Sequence, residues 1–162
     1  MTPTWQRGRA DIDAMLERRE LEFVAPDRST AERLLGEATR HLSSARAIVD
    51  TDSTGAFQLA YDAARKSLTA ILAAQGLRPT TSGGHLSVSD AARAQFSAVL
   101  GHLVTRFSAM RRIRNNSEYP TPDRPSATRS EADRGIEDAE AIMTRAARIV
   151  DHLDPFIPRT PQ

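Results

Sequence analysis

At 162 residues, 40% of them hydrophobic, the chain has the size of one domain with one core of ordinary dimensions. Its 22 Lys and Arg against 21 Asp and Glu leave almost no net field to attract a polyanion, so any nucleic-acid site has to be a local patch. The lack of cysteine excludes disulfides, thiolate nucleophiles and cysteine-based zinc sites, and no apolar stretch approaches the length of a membrane span.

Residues Met1 to Arg9 carry no apolar signal-peptide core, so a cytoplasmic location is expected. Arginine far outnumbers the single lysine, Lys66, and alanine is abundant, which points to a bacterial source of high GC content. The pattern divides the chain into a leading helix and linker (1–28), a helical bundle (29–154) and a short tail (155–162).

In the leading segment, Ile12, Met15, Leu16 and Leu21 fall at loose helical spacing, which predicts a short helix over Ala10 to Leu21. After Pro26, Ser29 with Glu32 three residues on has the form of a capping box. Leu34, Leu35, Ala38, Leu42, Ala45, Ile48 and Val49 then keep one apolar face. Asp52-Ser53-Thr54-Gly55 reads as a turn. Beyond it Phe57, Ala60, Tyr61, Ala64, Leu68, Ile71 and Leu72 repeat the spacing as far as Gly76, a natural C-terminal cap, so the two helices are expected to form an antiparallel hairpin.

Arg78 to Leu86 has no periodicity and contains Gly83-Gly84, which predicts a flexible surface loop. Ser87 and Asp90 suggest a new cap, and Phe96, Val99, Leu100, Leu103, Phe107, Met110 and Ile113 mark one helix running to about Ser117, with Gly101 allowing a close crossing. Pro120, Pro122 and Pro125 end it. The last helix starts near Thr128 or Ser130 and buries Ile136, Ala139, Ile142, Met143, Ala146, Ile149, Val150 and Leu153. Nothing alternates with a period of two over a useful length. The sum is an all-α, up-and-down bundle of four long helices plus a short N-terminal helix.

The stretch that carries chemistry is Arg111-Arg112-Ile113-Arg114-Asn115-Asn116-Ser117-Glu118-Tyr119-Pro120. With Met110 and Ile113 facing the core, helical spacing brings Arg111, Arg114 and Asn115 to one side. Guanidinium forks suit phosphate oxygens, and asparagine suits a base edge or a ribose hydroxyl. Arginines in a last helical turn also satisfy orphan carbonyls and complement the dipole without any ligand, and the residues alone leave both readings open.

Arg114-Asn115, followed by three variable positions and Tyr119, resembles the motif of the HEPN family, in which an arginine and a polar residue on the helix before the last are followed by a histidine. Here Tyr119 stands where the histidine would, and Glu118-Tyr119 is similar to a bacterial variant that ends in an acidic residue and tyrosine. Ala60-Tyr61-Asp62-Ala63-Ala64-Arg65-Lys66 is similar to the family's second core helix, and the spacing from Gly76 to His85 fits as well. The likeness covers roughly Ala31 to Leu153.

The resemblance implies an RNA-directed protein, a homodimer in which motifs from two subunits meet, and in its RNase members a metal-independent attack of the ribose 2′-hydroxyl on the adjacent phosphate. That chemistry needs a proton acceptor, a proton donor and cations. It casts Arg114, Asn115, Glu118 and Tyr119 as the catalytic set, with Arg111, Arg112 and Arg114 holding the phosphate. A phenol of ordinary pKa, about 10, is a poor proton shuttle near neutrality, and a carboxylate beside arginines is commonly their ion-pair partner. The other reading is therefore a non-catalytic nucleotide- or protein-binding module, an antitoxin or an adaptor of a nucleotidyltransferase. The toxin-side reading implies a cognate antitoxin or a nucleotidyltransferase as partner.

Among the histidines, His41 and His152 read as surface or half-buried residues, and His102 precedes Arg106 by one turn. His85 is read two ways, as a residue able to swing toward a ligand and as a cap for the next helix. Tyr61 and Asp62 read as packing and hydrogen-bonding residues. No His-x-x-x-His or acidic cluster argues for a metal, and Gly83-Gly84 lacks the Gly-Lys-Ser/Thr ending of a phosphate loop, so neither metal nor cofactor is expected.

Overall fold

The computed structural model describes residues 7–157. Its chain order is α1 (Arg9–Glu17), β1 (Leu21–Phe23), α2 (Arg28–Ile48), α3 (Ser53–Gln75), β2 (Leu77–Pro79), α4 (Gly84–Leu100), α5 (Leu103–Glu118) and α6 (Arg129–Asp151). The expected all-α bundle is what forms.

α3 is the central element. Thirteen of its 23 residues are buried, from Ala56 to Gln75, and apolar residues surround its axis where a surface helix would show one stripe. The hairpin with α2 is antiparallel, as Glu37 pairs with Lys66 while His41 pairs with Asp62 one turn earlier on α3. α6 closes the other side with Ile136, Ala139, Ile142, Ala146 and Val150 buried.

Helix starts follow side-chain capping. Asp27 caps α2 through the Thr30 N–H at 2.9 Å, two residues before the expected Ser29, and Asp52 caps α3 through the Gly55 N–H at 2.8 Å. Thr128 accepts from the Glu131 N–H at 3.2 Å and starts α6. Gly76 ends α3 in the left-handed conformation, as its position suggested.

Three expectations are corrected. The helix expected from Ser87 to Ser117 is two helices, α4 and α5. At Gly101, φ is 57° and ψ is −130°, a backbone conformation open essentially to glycine alone, and the chain turns there. Phe96, Leu100, Leu103, Val104 and Phe107 are buried on either side of this break, so the apolar phase continues through it.

The expected loop from Arg78 to Leu86 is ordered structure. Leu77–Pro79 pairs antiparallel with Leu21–Phe23 in the register Leu21↔Pro79, Glu22↔Arg78 and Phe23↔Leu77, and α4 begins already at Gly84. Gly83 sits so close to the β1 approach that a Cβ there would lie 2.3 Å from the Glu20 carbonyl oxygen. The leading helix stops at Glu17, and Leu21 is buried as a strand residue.

These features fix the N-terminal turn of α4 against α3. A reciprocal pair of buried amides adds to this: Gln75 and Gln95 exchange hydrogen bonds at 2.7 and 3.1 Å, which satisfies polar groups that burial would otherwise strand. No helix among the described residues is long and apolar enough to cross a membrane.

Candidate nucleic-acid interface

The last two turns of α5 carry the arginine-rich stretch, and successive residues turn by about 100° around the helix axis. The stretch is therefore divided between two faces. Arg111, Arg114 and Glu118 fall on the side continuous with buried Phe107, which looks onto α3. Arg112 and Asn116 fall on the opposite side and Asn115 between the two, and with Ala109, Ile113 and Arg124 these three line an open groove of about 690 Å³.

On the α3 side the centre is Tyr61, whose ring is 2% exposed. One face stacks on Phe107, with centroids 5.4 Å apart and planes within 6°. The Arg114 guanidinium carbon lies 5.9 Å from the Tyr61 centroid, within reach of a cation–π attraction. Arg114 Nη2 also pairs with Glu118 Oε1 at 2.6 Å, and its Nη1 points at Asn115 Oδ1 at 3.5 Å. Arg111 buries its Nε with no hydrogen-bond partner among the described residues.

The Tyr61 hydroxyl is 2.9 Å from Nδ1 of His85, which sits in the first turn of α4. Burial pushes the Tyr61 phenol up to about 12, with Arg114, Arg65 and Arg111 pulling the other way, so the phenol keeps its proton. His85 is held below the ordinary imidazole value, first by burial and then by Arg65 and Arg114, against the opposing pull of Asp62 and Glu118. At neutral pH a protonated phenol thus faces a neutral imidazole. The direction of their hydrogen bond follows the tautomer: with the ring's proton on Nε2 the phenol donates to Nδ1, and with it on Nδ1 the phenol oxygen accepts.

Below this pair lies a charged network between α2 and α3. Asp62 pairs with Arg65, with His41 Nε2 at 3.1 Å and with Lys66 at 3.5 Å, and Lys66 also pairs with Glu37. Burial raises the Asp62 carboxyl, but the Arg65 hydrogen bond together with Lys66 and His41 outweighs it and holds the group below the usual carboxylate range. Asp62 thereby fixes Arg65 beside the Tyr61–His85 pair.

Of the residues singled out in the sequence, Arg111, Arg114 and Glu118 share one face, Asn115 stands at its edge with Oδ1 3.5 Å from Arg114 Nη1, and Arg112 looks elsewhere. Tyr119 is the C-cap of α5 and is 78% exposed. His102 stands exposed at the start of α5, and His152 at the end of α6. His85, Tyr61 and Arg65 were not read as a cluster. The sequence marks Tyr61 and Arg65 as part of a family-like helix and His85 by its spacing from Gly76, and neither signal says anything about their meeting. Among the described residues no group of three or more His, Asp or Glu is placed to hold a metal ion.

The family model of the HEPN domain matches residues 31–150. The chain belongs to the HEPN family. No curated protein and no solved structure matches it. The HEPN span opens at Ala31 in the first turn of α2 and closes at Val150 in the last turn of α6, so Tyr61, His85 and the arginines of α5 all lie within it. α1 and β1 lie outside the span, yet Ile12, Met15 and Leu21 belong to the same buried core.

Proposed function

We propose that this HEPN protein is RNA-directed and holds an RNA phosphate with Arg114, supported by Arg111 and Arg65, at the end of the bundle where α3, α4 and α5 converge. The observation that carries this reading is the Arg114 guanidinium set on the Tyr61 ring, with two further guanidinia near enough to act on the same phenol. Glu118 and Asp62 offset the charges of Arg114 and Arg65 but leave the buried Nε of Arg111 without a partner among the described residues, and phosphate is an anion whose geometry these guanidinium forks fit.

The activity we attach to it is metal-independent cleavage. The 2′-oxygen bonds to phosphorus, the bond from phosphorus to the 5′-oxygen breaks, and the products are a cyclic phosphate and a 5′-hydroxyl. In this reading Glu118, displaced from Arg114 by the phosphate, takes the hydroxyl proton. Tyr119 supplies one to the leaving oxygen, Asn115 orients the ribose, and Arg112 extends the contact along the strand. The protein works as a homodimer in a toxin–antitoxin or defence system, with a cognate antitoxin or a nucleotidyltransferase as partner.

A second reading, a binding module without catalysis, is favoured by one observation: Glu118 pairs with Arg114 at 2.6 Å and neutralises the central cation. Incubation of the protein with total tRNA and a mixed RNA pool in EDTA separates the two, beside Arg114→Ala and Tyr119→Phe. Cleavage by the wild type that both variants lose supports the nuclease, whereas RNA left intact but bound, with binding lost in Arg114→Ala, supports the module.

A further inference from the structure

Tyr61 is a core residue that carries a polar group, and that group is spent on His85. His85 is half-buried on the first turn of α4, and among the described residues its Nε2 has no hydrogen-bond partner. Its other nitrogen is held by a hydroxyl whose ring stacks on Phe107 and lies within cation–π reach of Arg114. A phenol fixed there sets one ring orientation and serves both charge states: it donates to Nδ1 when the neutral ring carries its proton on Nε2, and accepts from Nδ1–H when the ring is an imidazolium, so that in either state Nε2–H is free to donate outward.

That donor belongs to the same cluster as Arg65 and Arg114, both of which act electrostatically on the ring. Resting on the RNA-directed reading above, we propose that His85 is a phosphate-contacting residue: oriented by Tyr61, it donates from Nε2 to the RNA phosphodiester held by Arg114 and Arg65, and it takes up a proton when the RNA binds. The groups around it are Tyr61, Asp62 and Arg65 from α3 and Arg114 and Glu118 from α5. In the free protein the two arginines disfavour a charge on the ring. A bound phosphate cancels their field and adds an opposite charge at hydrogen-bond distance, so the imidazolium becomes the favoured form.

The sign of the pH effect follows. Binding is coupled to proton uptake between the depressed value of the free imidazole and the higher value of the bound one, so affinity falls as pH rises through that window. Carboxylates and guanidinia titrate well outside it. His41, against Asp62 on α2, is the same in wild type and variants, so their difference isolates His85.

The test is calorimetric titration of the full chain with a short single-stranded RNA of mixed sequence, near pH 6 and near pH 8, in two buffers of different ionisation heat. The variants are Arg114→Ala, His85→Gln, His85→Ala and Tyr61→Phe. For the wild type we expect proton uptake and a loss of affinity of up to about tenfold between the two pH values, the effect of a one-unit change in a single pKa. His85→Gln keeps an amide donor but cannot titrate, so it stays within about twofold of wild type at the higher pH and loses both the pH dependence and the proton uptake. His85→Ala is weaker at both pH values. Tyr61→Phe, with no hydroxyl to set the ring, falls between wild type and His85→Ala.

RNA binding that needs Arg114 but keeps the same pH profile and proton uptake in His85→Gln overturns the inference and leaves the RNA-directed reading intact. Absence of RNA binding by the wild type overturns both. Equal competition by inorganic phosphate and by the RNA shows a site for free phosphate and overturns the assignment to a phosphodiester.

Discussion

On the RNA-directed reading, Glu118 sets how strongly Arg114 can hold a phosphate. The pair is one helical turn apart on α5, with side chains 26% and 35% exposed, so solvent screens it and its own contribution to stability is at most about 1 kcal/mol. An incoming phosphate has to compete with that carboxylate for the same Nη2. Glu118→Gln removes the competing charge and keeps the side-chain shape, and RNA affinity is expected to rise about two- to fivefold, the equivalent of that modest pair energy. Cleavage is expected to disappear in the same variant, because the amide cannot take the 2′-hydroxyl proton. Fluorescence anisotropy with labelled RNA, alongside a gel assay in EDTA, reads both quantities. A fall in affinity would show instead that Glu118 orients Arg114 for the phosphate.

At the scale of elements, the turn at Gly101 places α5, and with it Arg111 and Arg114, over Tyr61. A Cβ at Gly101 meets nothing within 4 Å, so the whole cost of Gly101→Ala is backbone strain at φ 57° and ψ −130°, about 1–3 kcal/mol. For a domain of this size each kcal/mol lowers Tm by about 2–4 °C, which thermal unfolding by circular dichroism measures. A variant as stable as wild type would show that α4 and α5 can join as one helix. The same turn explains what the sequence leaves hidden. Phe96, Leu100, Leu103, Phe107 and Met110 keep the 3.6-residue phase on both sides of Gly101, so periodicity reads straight through a break that preserves it. α2, α3 and α6 were legible because length, apolar phase and caps agree in each, with only the α2 cap displaced from Ser29 to Asp27. β1 and β2, three residues each, are too short for alternation to register. Arg114 and Glu118 were legible from their spacing on one helix. The contact of Tyr61 with His85 spans 24 positions and three elements, and no local pattern encodes it.

For the whole molecule, a net charge of +1 provides no long-range field to gather RNA, so on the RNA-directed reading affinity has to come from the few phosphates that the arginines touch directly. The structure offers two places for them on opposite faces of α5. One is the Tyr61 side, with Arg65, Arg111 and Arg114, and the other is the open groove, with Arg112 and Arg124. The salt dependence of binding tells them apart, because each phosphate neutralised on single-stranded RNA contributes about −0.7 to the slope of log K against log salt. One phosphate held on the Tyr61 side alone gives a slope near −0.7, and a strand that wraps α5 and sets two more phosphates on Arg112 and Arg124 gives one near −2. We expect the shallower slope, since the charges of the Tyr61 side are fixed by stacking and ion pairs while Arg112 and Arg124 are exposed and have to be ordered by the RNA. An Arg112→Ala, Arg124→Ala double variant is then expected to leave the slope unchanged, and Arg114→Ala to flatten it by about 0.7. A wild-type slope near −2 that the double variant brings back to about −0.7 would instead put the strand across both faces, with Asn115 and Asn116 under its bases.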